Sequence, residues 1–180
     1  MKVKKIMFLN MFFNDYIYMK KIIILFIILI ATDGFACSCI KLSNNFKENI
    51  ASEFKSSVVI FYGKVIQKKI YKAQETDDYI SNSDIIFYTF EISKVYKGEI
   101  TQKRIIIKSN NDGGSCGYPF EVNKKYLVYS NYYGVNQANV SKNDLFTSIC
   151  HRTNLLKNVK SKELRLLKRH SKKRKKRLDT

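Results

Sequence analysis

Four cysteines constrain this chain more than any other feature: Cys37 and Cys39, one residue apart, then Cys116 and Cys150 far downstream. Four cysteines allow three pairings. A bridge between Cys37 and Cys39 is sterically poor, which leaves two. Either would tie the segment around residue 38 to distant parts of the chain. Disulfides persist in oxidising compartments and are rare in the cytosol, so the residues upstream of Cys37 matter.

Ile22 to Ala31 read as ten apolar residues in a row. Spanning a bilayer takes about 20, whereas the core of a secretory signal takes about 7–15. Lys20 and Lys21 supply the positive flank, and Gly34 and Ala36 place small residues before Cys37. The pattern predicts a signal peptide over residues 1–36, cleaved between Ala36 and Cys37. Met19 opens a compact leader unaided and is the expected translation start. The exported chain then begins at Cys37 with a free α-amine, secreted or held in the cell envelope, and has no transmembrane helix. A lipoprotein, cut before the same cysteine and acylated on it, is the competing expectation. Gly34 is a poor match to the leucine usually wanted there.

The chain carries a formal net charge of +18, unevenly placed. Residues 157–180 hold twelve Lys and Arg against two acids, ending in Lys172-Lys173-Arg174-Lys175-Lys176-Arg177. Such a block is expected to be solvated, a helical or disordered tail. Leu164, Leu166 and Leu167 leave room for a short helix before it. As a function, the block fits binding to an anionic membrane or polysaccharide.

The body, residues 37–156, is long enough for one domain. A hydrophobic content of 45% excludes a disordered chain, and 7 Gly with 1 Pro exclude linker-like polymers. Val58–Ile66 and Ile85–Tyr96 are rich in β-branched and aromatic residues, as are the shorter 105–107, 126–129 and 146–149. Residues 97–99 read as a turn, 110–114 as a loop and 74–84 as a polar excursion. Phe46, Ile50 and Phe54 recur every four residues, as on one helix face. Five antiparallel strands with a short helix suit a mainly β, five-stranded OB-fold-like Greek-key barrel with one or two short flanking helices. A small β-sandwich is the alternative.

These residues also carry a resemblance. Cys37-Ser38-Cys39 directly after a signal cut is followed by Val58-Val59-Ile60, Gly63 and Val65. Then come Tyr88 to Ile92, Val95-Tyr96-Lys97-Gly98 and Ser115-Cys116-Gly117-Tyr118. Tyr126-Leu127-Val128 and Thr147-Ser148-Ile149-Cys150 complete the series. Over residues 37–155 the chain resembles the netrin-like N-terminal domain of the tissue inhibitors of metalloproteinases (TIMPs), as a bacterial-type, single-domain member. The resemblance implies an OB-fold barrel with bridges Cys37–Cys116 and Cys39–Cys150. It also implies inhibition of a zinc metalloprotease by the mature N-terminus. Cys37 would chelate the protease's zinc in trans, and Ser38 would enter the pocket for the first primed residue. Cys39 and Ile40 would continue along the cleft, with Gly114 and Ser115 covering its other side. The family's third bridge in this domain has no partner cysteines here, and its six-cysteine second subdomain is absent.

No His-Glu-x-x-His, nucleophile elbow or phosphate loop occurs, so an enzyme is the least supported class. The chain is expected to be a monomer without a cofactor of its own. His151 reads as a surface residue. Glu75, Asp77 and Asp78 read as a solvated loop ahead of a weak calcium site. Asn139-Val140-Ser141 is a sequon. A zinc site of Cys37, Cys39, Cys116 and Cys150 lacks two closely spaced pairs. Two non-inhibitory classes stand beside the inhibitor: an OB-type module binding polyanions or the envelope, and a lipid-anchored envelope protein of structural role.

Overall fold

The computed structural model describes residues 19–26, 37, 39, 43–72, 84–111, 116–134, 141 and 143–178. The chain divides into two compact units, Met1–Phe35 and Ala36–Thr180. In the first, residues 19–26 form a helix (α1) whose apolar side chains, from Ile22 to Phe26, are exposed. Among the described residues no helix is long and apolar enough to cross a membrane.

The second unit opens with helix α2, Phe46–Ser56. Six strands follow: β1 Val59–Tyr71, β2 Ile85–Lys97, β3 Arg104–Asn110, β4 Lys125–Tyr132, β5 Leu145–Phe146 and β6 Asn154–Leu155. A short 3-10 turn leads into α3, Ser161–Leu178. β1 pairs with β2, β2 with β3, β3 with β5, β5 with β4, and β4 returns to β1. The ring of five closes, giving the expected mainly β, OB-fold-like Greek-key barrel. One pairing departs from the all-antiparallel expectation: β3 and β5 run parallel at Lys108 and Phe146. The two-residue β6 extends the sheet on the outer edge of β4 through Tyr126 and Leu155; it is too short to carry a sequence signal.

Side-chain alternation divides the apolar residues between two cores. Phe61, Val65, Ile86, Tyr88, Phe90, Ile107 and Val128 point into the barrel. Phe120 plugs it, meeting Tyr88, Phe90 and Tyr126 edge-on at centroid distances of 4.9, 5.0 and 4.9 Å. Ile60, Tyr96, Leu127 and Tyr129 point outward and are covered by Ile50 and Phe54 of α2 and Leu167 of α3. Closing a small barrel needs sharply bent strands. Gly63 supplies one bend beside a register shift in the β1–β2 ladder; a Cβ there would lie 2.5 Å from the Glu91 carbonyl oxygen.

Both ends of α2 are capped. The Asn45 side chain accepts from the Lys47 amide at 3.0 Å. The Glu48 carboxylate accepts from Asn45 Nδ2 and Ser43 Oγ. At the other end Lys97 Nζ donates to the carbonyls of Phe54 (2.7 Å) and Lys55 (2.9 Å), and to that of Ser57. A cation here satisfies orphan carbonyls and opposes the negative end of the helix.

The C-terminal segment takes the helical form of the two expected, with Lys172, Lys173 and Lys175 to Arg177 exposed, and it also docks along one face. It is an 18-residue helix. Leu167 is buried, Leu164 and Leu166 pack against the outer core, and the His170 ring stacks on Phe54 at 5.1 Å. Glu163, Leu167, His170 and Arg174 lie three to four residues apart, so one face docks while the charges between them stay in solvent. Reading the run as a block of charge hides that period.

Two predictions follow from these contacts. Lys97→Met should lower unfolding free energy by about 1.5–3 kcal/mol in urea titrations, the worth of a charge-assisted set of hydrogen bonds. Burial, with Lys173 and Arg169 nearby, holds the His170 pKa below its usual value of 6.5. The unfolded chain therefore takes up this proton first. The contribution is complete above about pH 6.5 and falls as pH drops through the folded value. Stability profiles of wild type and His170→Phe should diverge below pH ~6.5, with the wild type losing more.

Candidate functional site

Two connecting segments meet at one end of the barrel. Cys116 adopts φ 58°, and Gly117 forms an isolated antiparallel bridge with Ser148. The backbone presses on the end of β3, where a Cβ on Gly117 would lie 1.9 Å from the Asn110 carbonyl oxygen. Tyr118 anchors the segment: its amide donates to Ser109 Oγ at 2.6 Å, and its ring packs on Phe120 at 4.5 Å. Burial, reinforced by Tyr126, pushes the Tyr118 phenol up to about 12. Ile149 N donates to the Cys116 carbonyl at 2.9 Å, which places Cys116 and Cys150 on adjoining segments.

That ledge holds both crosslinks. Cys37 is bonded to Cys116 with Cα atoms 5.4 Å apart, and Cys39 to Cys150 at 5.1 Å. These are the pairs that the family resemblance implies. The sulfurs of Cys37, Cys39 and Cys150 lie within 4.8 Å of one another because the two bridges sit side by side. Sulfurs in disulfides are not thiolates, so this cluster is not a ligand set for a resident metal. Each bridge spans a large loop, with sequence separations of 79 and 111. Chain-entropy reasoning assigns about 4–5 kcal/mol to each.

A buried polar set fixes the turn that carries Cys150. Thr147 Oγ1 donates to the Tyr129 carbonyl at 2.7 Å, and the Tyr129 amide donates to Thr153 Oγ1 at 2.9 Å. Ser109 Oγ donates to the Thr147 carbonyl at 3.1 Å. A hydrogen bond and an ion pair tie the same turn to the helices. His151 Nδ1 lies 2.9 Å from Glu53 Oε1 of α2. Arg152 donates to both carboxylate oxygens of Glu163 of α3, at 3.2 and 2.8 Å. The Tyr129 hydroxyl donates to Glu163 Oε1 at 2.7 Å. Burial, then the Glu163 carboxylate, holds the Tyr129 phenol far above its ordinary range. Burial opposes the charge on Arg152, but its bonds to Glu163 outweigh this and raise its pKa.

Of the residues singled out from the sequence, the structure brings Cys37, Cys39, Cys116 and Cys150 together. Cys37 and Cys116 are half-buried; Cys39 and Cys150 are exposed. Ser38, Ile40, Gly114, Ser115 and Ala36 lie outside the described residues, as do Glu75, Asp77, Asp78, Asn139 and Val140. Lys172 to Arg177 occupy the last turns of α3, exposed except for the half-buried Arg174. His151 is not the plain surface residue expected, because it is paired with Glu53. The supporting residues Glu53, Arg152, Thr153 and Glu163 were missed, and Thr147 figured only as part of the motif around Cys150. Only Glu53 leaves a sequence trace, at the edge of the face defined by Phe46, Ile50 and Phe54.

No protein-family model and no curated protein matches this chain.

Gly117→Ala should move the Cys116 ledge off β3 or strain it. The expected loss is about 3 kcal/mol or more, at the upper end for overpacking. Urea unfolding of the oxidised protein measures it; a loss below about 1 kcal/mol would show that the ledge yields freely.

Proposed function

We propose that the chain is exported, processed to begin at Cys37, and acts as a TIMP-like inhibitor of zinc metalloendopeptidases. The observation that carries this reading is the adjacency of the two bridges. They clamp Cys37 and Cys39 onto one ledge that is itself fixed to the barrel. A chain end held there is ordered before it meets an enzyme, which lowers the ordering cost of binding.

The chemistry belongs to the first residue. The α-amine and carbonyl of Cys37 can close a five-membered chelate on the open position of a catalytic zinc. The amine donates only when neutral. An ordinary α-amine pKa of about 7.7–8.0 leaves a useful neutral fraction near pH 7, and coordination draws the rest across. Chelation displaces the zinc-bound water, which removes the nucleophile. Ser38 reaches the first primed pocket, Cys39 and Ile40 follow the cleft, and Gly114 with Ser115 line its other wall. Paired cysteines fit an oxidising, extracellular or envelope compartment. An acyl group on the amine would abolish chelation.

Protein beginning at Cys37 is assayed against a panel of zinc endopeptidases beside a form with one alanine added before Cys37. The expected result is inhibition by the first, weakened about 100-fold or more, roughly 2.7 kcal/mol, in the second, with identical thermal unfolding. Equal inhibition by both forms, or none by either, would end this reading.

A further inference from the structure

Helices α2 and α3 leave a groove between them, made of two adjoining cavities of about 450 and 300 Å³ that share Ala51 and His170. Lys55, Lys97, Arg174 and Arg177 border the first cavity; Lys47, Arg169 and Lys173 border the second. The small side chain of Ala51 and the stacked rings of Phe54 and His170 form the floor. Arg169, Lys173 and Arg177 follow one another at four-residue intervals, about 6 Å apart along the helix axis.

Among the described residues the one carboxylate lining this surface, Glu48, is already engaged by Ser43 and Asn45 at the start of α2. The ion pairs among the described residues join Lys108 to Asp144 and Arg152 to Glu163, His151 is hydrogen-bonded to Glu53, and none of these takes a cation of the groove. The mutual repulsion is felt locally. Lys97 holds its proton less tightly than usual because of burial and of Arg174 beside it. Lys97 is committed to the C-terminal carbonyls of α2. The other six cations, Lys47, Lys55, Arg169, Lys173, Arg174 and Arg177, have no carboxylate partner among the described residues, and such a concave surface is complementary to an anion.

We propose that the α2–α3 groove binds a linear polyanion that presents sulfate or phosphate groups on a backbone without stacking bases. The groove is open at both cavities and longer than a single oxyanion requires. Successive bases stack on a series of accessible aromatic faces, and here Phe54 is 8% exposed and covered by His170, which leaves one half-buried imidazole rather than a series. Insertion into a lipid surface needs an unpartnered apolar face, whereas Leu164, Leu166 and Leu167 of α3 pack on the outer core and only Leu166 also borders the groove. The groove takes Lys173, Arg174 and Arg177 from the basic run and is not bordered by Lys172, Lys175 or Lys176. It is independent of the chelating terminus, so inhibition and polyanion binding succeed or fail separately.

The test uses the full exported chain with three probes of matched charge: dextran sulfate, inorganic polyphosphate and oligothymidylate. Affinity is measured by anisotropy competition at about 50 and about 200 mM salt. Lys55→Glu with Lys173→Glu reverses two exposed groove charges. Arg165→Glu with Lys168→Glu makes the same charge change on the exposed face of α3 outside the groove. Thermal unfolding of both double variants confirms that each is folded. Binding to dextran sulfate or polyphosphate should weaken about tenfold or more with salt, and the tighter of the two names the oxyanion. The groove variant should lose at least about tenfold more than the matched control. Equal losses in both variants, tighter binding to oligothymidylate, or no binding to any of the three probes would each overturn the proposal.

Discussion

Glu163 is the point at which three parts of the molecule are made one. Its carboxylate receives the hydroxyl of Tyr129 from β4 and the guanidinium of Arg152 from the turn next to Cys150, and it belongs to α3. Glu163 and Tyr129 are both buried. Removing one partner would strand the others in a low-dielectric setting, a far larger cost than the net worth of the pair. The orientation of the crosslinked turn, the seating of α3 and the shape of the groove beneath it therefore share one anchor.

The barrel needs that anchor because its own closure leaves the ends loose. β5 has two residues; after it the Thr147 amide makes one more bond to β3, at the Lys108 carbonyl, and the Thr147 hydroxyl bonds to the Tyr129 carbonyl. What the strands do not hold, hydrogen bonds from Ser109, Thr147 and Thr153 hold instead. These small hydroxyl residues fit where a larger side chain would crowd the turn. They also satisfy backbone groups that burial would otherwise leave unpaired.

How much of this was legible follows from the range of each interaction. β-branched and aromatic runs placed the cores of β1, β2, β3 and β4, because strand preference is carried by neighbouring residues. The four-residue recurrence of Phe46, Ile50 and Phe54 placed α2 for the same reason. The strand expected over 146–149 shrank to Leu145–Phe146, since Ser148 bridges to Gly117 and leaves the sheet. Leu164, Leu166 and Leu167 marked the start of α3, but its docking through His170 and Arg174 was missed because a dense run of lysines and arginines masks the continuing period. The pairing of His151 with Glu53 joins residues 98 apart and leaves nothing local to read. Cys37-Ser38-Cys39 was informative because the resemblance it carries implied both disulfide pairs found in the structure.

Neither disulfide joins two strands of the barrel. Cys37 and Cys39 precede α2, while Cys116 and Cys150 sit in connections. The ring is closed instead by β1 meeting β4, with Val59 opposite Ser130. Oxidation can therefore act on a preassembled template: once the ring has formed, it presents two thiols on one ledge and leaves the early cysteines to find them. The sulfur bonds then work chiefly on the denatured ensemble, by restricting how far an opened chain can wander before it recloses.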